Sequence, residues 1–129
     1  MADELTTYRR TLHQIYETVS PDELVQGWVT QDMIELVASG EHKRGELLMT
    51  GEGGFIPATS AGLSSAKEVC ILASTRDIPE GQKAAVYAYF SGTFKASSVI
   101  LPYETEADDH EEQIELVRET LRQHKIFVK

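Results

Sequence analysis

The residues able to do chemistry are few and scattered. Cys70 is the only thiol of the chain and stands in the apolar run "EVCILAS". A single cysteine forms no internal disulfide, and no Cys/His pair has zinc spacing. A strand-type apolar run predicts a buried, inert thiol rather than a nucleophile. Histidines 13, 42, 110 and 124 lie far apart, and spacing suggests no Ser/His/Asp or Cys/His set. Ser91 precedes Gly92, but "YFSGTF" is not the Gly-x-Ser-x-Gly turn that exposes a catalytic serine. The glycines of "TGEGGF" (Gly51, Gly53 and Gly54) would need a following Gly-Lys-Ser/Thr and a helix to hold phosphate. Neither follows, so they predict a turn. Seven of the twelve residues from Glu104 to Glu115 are acidic, with His110 among them. A calcium loop requires an Asp-x-Asp-x-Asp-Gly order that is missing here. Carboxylates solvated at a helix start explain the run better. The expectation is a protein without catalytic residues, cofactor or metal, and not an enzyme.

The bulk properties point the same way. A chain of 129 residues, 41% hydrophobic and 26% charged, has the composition of one globular domain with a modest core. A net charge of −9 disfavours nucleic acid, whose phosphates require a local excess of cations. The clusters Arg9-Arg10, His42-Lys43-Arg44 and Arg118-Arg122-Lys125 read as solvated or dipole-matched surface. No apolar run approaches the roughly 20 residues that span a bilayer, and "MADELTTYRR" lacks the apolar core of a signal peptide. No membrane partner is expected, and synthesis in the cytoplasm is.

Short strands dominate the pattern. "MIELVAS" and "ELLM" flank "GEHKRG" and predict two strands joined by a tight connection. "VCILAS" and "AAVYAYF" predict two more, separated by a turn at Pro79 and Gly81. "ATSAGLSSAK" predicts a loop or a brief helical turn, and "TFKASSVIL" brings the chain back over the sheet. Ala107, His110, Ile114, Val117 and Leu121 step by three and four, one stripe of a helix over 106–122. Thr105 with Asp108 suggests its capping box. "KIFVK" closes the chain as a strand. Strands are expected near 34–38, 69–73, 84–90 and 125–128, in a mixed β-dominated (α+β), barrel-like domain over residues 21–129. Residues 1–20 stand apart. Leu5, Tyr8, Leu12, Ile15 and Val19 have helical spacing, while threonines 6, 7, 11 and 18 favour extended chain. Pro21 marks the boundary.

Together these segments resemble a family. "CILAS", a turn, and then "VYAYFSGTFKASSVILPY" are similar to the core of bacteriophage head-decoration proteins of the lambda type. The matching pieces are Ile71-Leu72-Ala73, Ser91-Gly92-Thr93-Phe94 and Val99-Ile100-Leu101-Pro102. Upstream, "ELVQGW" and "IELVASGEHKRGELLM" match at Leu24, Gly27, Ser39, Gly40, Arg44 and Gly45. The likeness covers residues 20–129 and not the arm, and the acidic "ETEADDHEEQIE" is more elaborate than the lambda pattern.

The resemblance implies a small β-tulip subunit that forms a homotrimer at local three-fold positions of an expanded phage head. Its partner would be the major capsid protein, its place the capsid exterior of the virion, and its role a cement against the pressure of packaged DNA. It further implies an extended N-terminal arm as capsid anchor, through Leu5, Tyr8, Leu12, Ile15, Tyr16 and Val19. Gly27, Gly40, Arg44, Gly45, Ser91, Gly92, Thr93, Phe94 and Pro102 would carry the family motifs and trimer contacts. The rival reading is a trimeric β adhesin or carbohydrate-binding module, with Trp28, Tyr87 and Tyr103 as its aromatic platform.

Overall fold

The two apolar runs read most directly from sequence are strands at the centre of the molecule. The computed structural model describes residues 13–15, 22–102 and 109–129. "VCIL" is β6 (Val69–Leu72), and "AAVYAYFSGTF" is β8 (Ala84–Phe94). Four residues of β6 are buried on both faces, which explains a continuous rather than alternating apolar run. Strands β2 (Val25–Leu36), β4 (Leu47–Gly51) and β5 (Gly54–Pro57) complete a ring. Each neighbour is hydrogen-bonded in the order β2, β5, β4, β6, β8 and back to β2. Closure leaves these five strands without a free edge over the ring. β1 (His13–Ile15) adds antiparallel to β2, and β9 (Ile126–Val128) adds parallel to β8. β3 (Gly40–His42) and β7 (Arg76–Ile78) form a separate ribbon. Among the described residues the helices are α1 (Ser60–Leu63) and α2 (His110–Gln123), with a 3-10 turn at Ala96–Ser98.

Two cores follow from the alternation of side chains along the ring strands. Ile34, Leu36, Leu48, Phe55, Cys70, Leu72, Val86, Ala88 and Phe90 pack together, with contributions from all five strands, and fill the ring. Phe55 and Phe90 meet edge to face at 5.9 Å between centroids, the arrangement favoured by the ring quadrupoles. The opposite faces of β4 and β6 bury Leu47, Met49, Val69 and Ile71 under Leu63 of α1, Ile114, Val117 and Leu121 of α2, and Ile126 and Val128 of β9. Cys70 is fully buried, as its apolar run predicts.

The sequence-based expectations hold for element type and shift at boundaries. The turn at Gly51–Gly54 joins β4 to β5, with Gly51 paired to Gly54 and Gly53 at φ +82°. The helix, expected from 106, begins at His110, because Asp109 is its cap and accepts the Glu112 amide at 2.8 Å. Thr105 and Asp108 lie outside the described residues. β2 is longer than the expected 34–38 strand. β8 does not end at Phe90 but runs through Ser91-Gly92 to Phe94. The expected hairpin of "MIEL" and "ELLM" is absent: β5 lies between β2 and β4 in the sheet. The intervening "GEH" instead pairs with β7.

Candidate functional site

Three segments that carry the family resemblance, distant in sequence, meet at one junction centred on Gly45. Its amide donates to the Leu72 carbonyl at 2.9 Å, and its carbonyl accepts the Ile100 amide at 2.8 Å. Leu47 then donates to the Ile100 carbonyl at 2.9 Å. The "RGEL" turn therefore ties β6 to the segment ending in Pro102. Gly45 takes φ +99°, and a Cβ there would fall inside contact distance of the Ser98 carbonyl oxygen. Both conformation and space require glycine.

Arg44 fastens the same junction from its rim. Its Nε donates to Asp22 at 2.6 Å, and its Nη1 donates to the Ala73 carbonyl at 2.7 Å and the Tyr89 hydroxyl at 2.8 Å. The guanidinium lies 5.5 Å from the Tyr89 ring centroid, within cation–π range. Burial opposes its charge, but the bonds to Asp22 and Tyr89 outweigh burial and raise its pKa. The planar fork matches three acceptors that a lysine ammonium cannot reach together.

Gly92 is the second constrained glycine. It takes φ +139°, and a Cβ would lie 2.6 Å from a Val29 methyl. Ser91 bonds Thr30 through their hydroxyl oxygens at 2.6 Å. Phe94 is completely buried in its own chain and packs at 5.8 Å from Tyr89. Phe94 and Gly92 are therefore buried in the core of their own chain. Ser91 and Thr93 are half-buried, and Pro102 is exposed. Gly40 is exposed at φ +106° in the ribbon. Gly27 has open space about it and no positive φ, so geometry gives no reason for glycine there.

Of the arm, His13–Ile15 is extended and pairs with Gln31–Val29 of its own β2. Leu5, Tyr8, Leu12, Tyr16 and Val19 lie outside the described residues, as does Tyr103 of the rival aromatic platform. Trp28 and Tyr87 are about half exposed but do not form one surface. Tyr87 pairs with Met33 on the outer side of the ring, five residues from Trp28 and so about 17 Å along the strand.

One polar site escaped the sequence reading. His42 and Glu46 are buried, with Nδ1 and Oε2 at 2.7 Å, while His42 Nε2 donates to the Ala38 carbonyl at 2.8 Å. Burial pushes the Glu46 carboxyl above its ordinary pKa, and the bond to His42 offsets part of that rise. The i,i+4 spacing in "HKRGE" gave no signal by itself, because outside a helix it is the turn at Gly45, and not the spacing, that brings the two side chains together. Among the described residues no three His, Cys, Asp or Glu side chains group to hold a metal, and no helix is long and apolar enough to cross a membrane. No family model matches the chain, and no curated protein matches it in sequence.

Proposed function

We propose that the chain is a structural capsid-decoration protein, which trimerises on an expanded phage head and binds its major capsid protein. The observation that carries this reading is the junction at Gly45. The "RG" turn, "ILA" strand and "VILP" segment, each similar to the family by itself, converge through named bonds around Gly45 and Arg44, and the "SGTF" strand end reaches them only through the packing of Phe94 on Tyr89, which bonds Arg44. A set of short motifs that share one structural task supports common descent better than the same motifs scattered over a surface.

Electrostatics bears on attachment. Three copies at −9 each carry −27, so docking on an acidic shell draws on apolar anchors and backbone pairing rather than net attraction. An extended arm supplies both, since an added strand gives main-chain bonds and alternate side chains fill pockets. Three arms on one trimer raise the affinity of one by about 10²–10⁴. The accessible motif residues Ser91, Thr93 and Pro102 are the assigned subunit contacts.

The test is cosedimentation with undecorated heads assembled from the cognate major capsid protein. Expanded heads should retain the protein at three copies per local three-fold position, and unexpanded heads should not. Equal absence from both defeats the proposal. Deleting residues 2–12, which spares β1, should abolish retention while leaving the fold intact.

A further inference from the structure

A bulge in β2 lifts the only tryptophan of the chain beside a pocket. The β2–β8 register jumps from Val25 opposite Phe94 to Val29 opposite Gly92, so two extra residues of β2 are accommodated between these pairs. Trp28 stands in this bulge with half its surface exposed, although a large aromatic ring ordinarily gains by burial. The pocket beside it has a volume of about 470 Å³ and is lined by Trp28, Thr30, Glu68, Ser91, His124 and Lys125. That volume lies within the roughly 300–1,000 Å³ typical of small-molecule sites.

We propose that this pocket binds a neutral pyranose sugar. An indole face accepts the apolar C–H face of such a ring, whose edge carries hydroxyls that both donate and accept. The walls offer both functions. The Thr30 and Ser91 hydroxyls bond each other at 2.6 Å, which consumes one of their two O–H groups and leaves lone pairs on both oxygens. The Lys125 ammonium donates, and Glu68, itself already engaged, adds a carboxylate to the wall. One carboxylate and one ammonium give the lining no excess of charge for a phosphate or a polyamine to neutralise.

Lys125 adds an independent observation. It occupies the left-handed region at φ +62° just after the C-cap of α2, where glycine is the usual residue. Its amide donates to the Arg122 carbonyl, and its carbonyl accepts the Gly92 amide at 3.1 Å. The strained residue is thus fixed to both helix and sheet at the pocket wall, and local strain of this kind concentrates at binding sites. The pocket shares Ser91 with the proposed subunit contacts, so it is tested on the free chain, apart from any capsid.

The probes are the methyl glycosides of glucose, galactose, mannose and N-acetylglucosamine at millimolar concentrations. At least one should change the fluorescence of Trp28 saturably and show saturation transfer to its ring protons in ligand-observed NMR. By NMR, W28A should weaken binding by about tenfold or more, S91A should weaken it several-fold, and Y87A should leave it unchanged. Should W28A fail to fold, as judged by circular dichroism, W28F substitutes for it and should retain partial binding. No saturable response to any of the four sugars overturns the proposal. So does a W28 variant that folds and binds like the wild type.

Discussion

The two ends of the long β2–β8 pair are built by different rules. From Gln31–Leu36 against Tyr89–Ala84 the register is regular. Ile34 and Leu36 point into the ring, while Met33 and Tyr87 face solvent. Binary alternation suffices there, and many residues satisfy it. From Val25–Thr30 against Ser91–Phe94 the register shifts once, and it shifts again where this stretch meets the regular one, between Thr30 and Gln31. The outward residues Val25, Val29 and Phe94 are completely buried under the C-terminal elements, and Gly92 adopts a conformation that few residues share. The regular end tolerates substitution, whereas the irregular end depends on particular residues. Bulges that bend and twist a strand commonly serve such a transition.

The largest expected effect contrasts two aromatics of β8. Phe94→Ala removes a completely buried ring and should destabilise by about 3–5 kcal/mol. Tyr87→Ala, on the exposed face, should stay within about 0.5 kcal/mol. Urea unfolding of both variants measures the difference, and equal losses would dissolve the distinction between the ends.

Second in size is a contrast between glycines. Gly45→Ala meets both a positive φ and the Ser98 carbonyl, so a loss of about 3 kcal/mol follows from strain and displacement together. Gly27→Ala meets open space and should change stability by less than about 1 kcal/mol. Thermal melts suffice, and a Gly27 loss as large as that of Gly45 would place an unseen demand on the bulge.

The same contrast separates what was legible in the sequence from what was not. Regular patterns were readable: "VCIL", "AAVYAYF" and the Ile114–Val117–Leu121 stripe each obey one period over several residues. The start of β2 was not, because Gln26, Gly27 and Trp28 interrupt the alternation at the bulge. Nor was the separation of β2 from β4 by β5, or the pairing of Gly40–His42 with Arg76–Ile78. These pairings depend on partners far along the chain, for which adjacent residues carry no signal. For the candidate site, the motif glycines and Arg44 were legible as residues worth attention. Their convergence was not, since Asp22, Ala73 and Tyr89 reach Arg44 from three separate segments.

Arg44 provides an intermediate effect. Arg44→Lys keeps the charge but loses the fork that serves Asp22, Ala73 and Tyr89 at once. About 1–3 kcal/mol should be lost. Asp22→Asn tests whether charge or geometry dominates, and it should cost less than the lysine variant because the bonds to Ala73 and Tyr89 survive. A larger loss in Asp22→Asn would assign the junction to ion pairing.

The smallest effect concerns pH and the His42–Glu46 pair, which holds the connection after β2 to the turn before β4. Burial raises the Glu46 pKa in the fold above its ordinary value of 4.5, with the His42 bond a partial offset. Between 4.5 and the raised value, the folded chain keeps a proton that the unfolded chain has released. Unfolding then releases a proton, so this contribution weakens as pH rises through the window and is constant on either side of it. Glu46→Gln does not titrate there, yet its amide can still bond to His42 Nδ1. The stability of the wild type minus that of the variant should therefore fall as pH rises from 4.5. Denaturant titrations at a series of pH values measure this difference. A flat curve would mean that the carboxylate is as well stabilised in the fold as in water, and a rising one that the His42 bond outweighs burial.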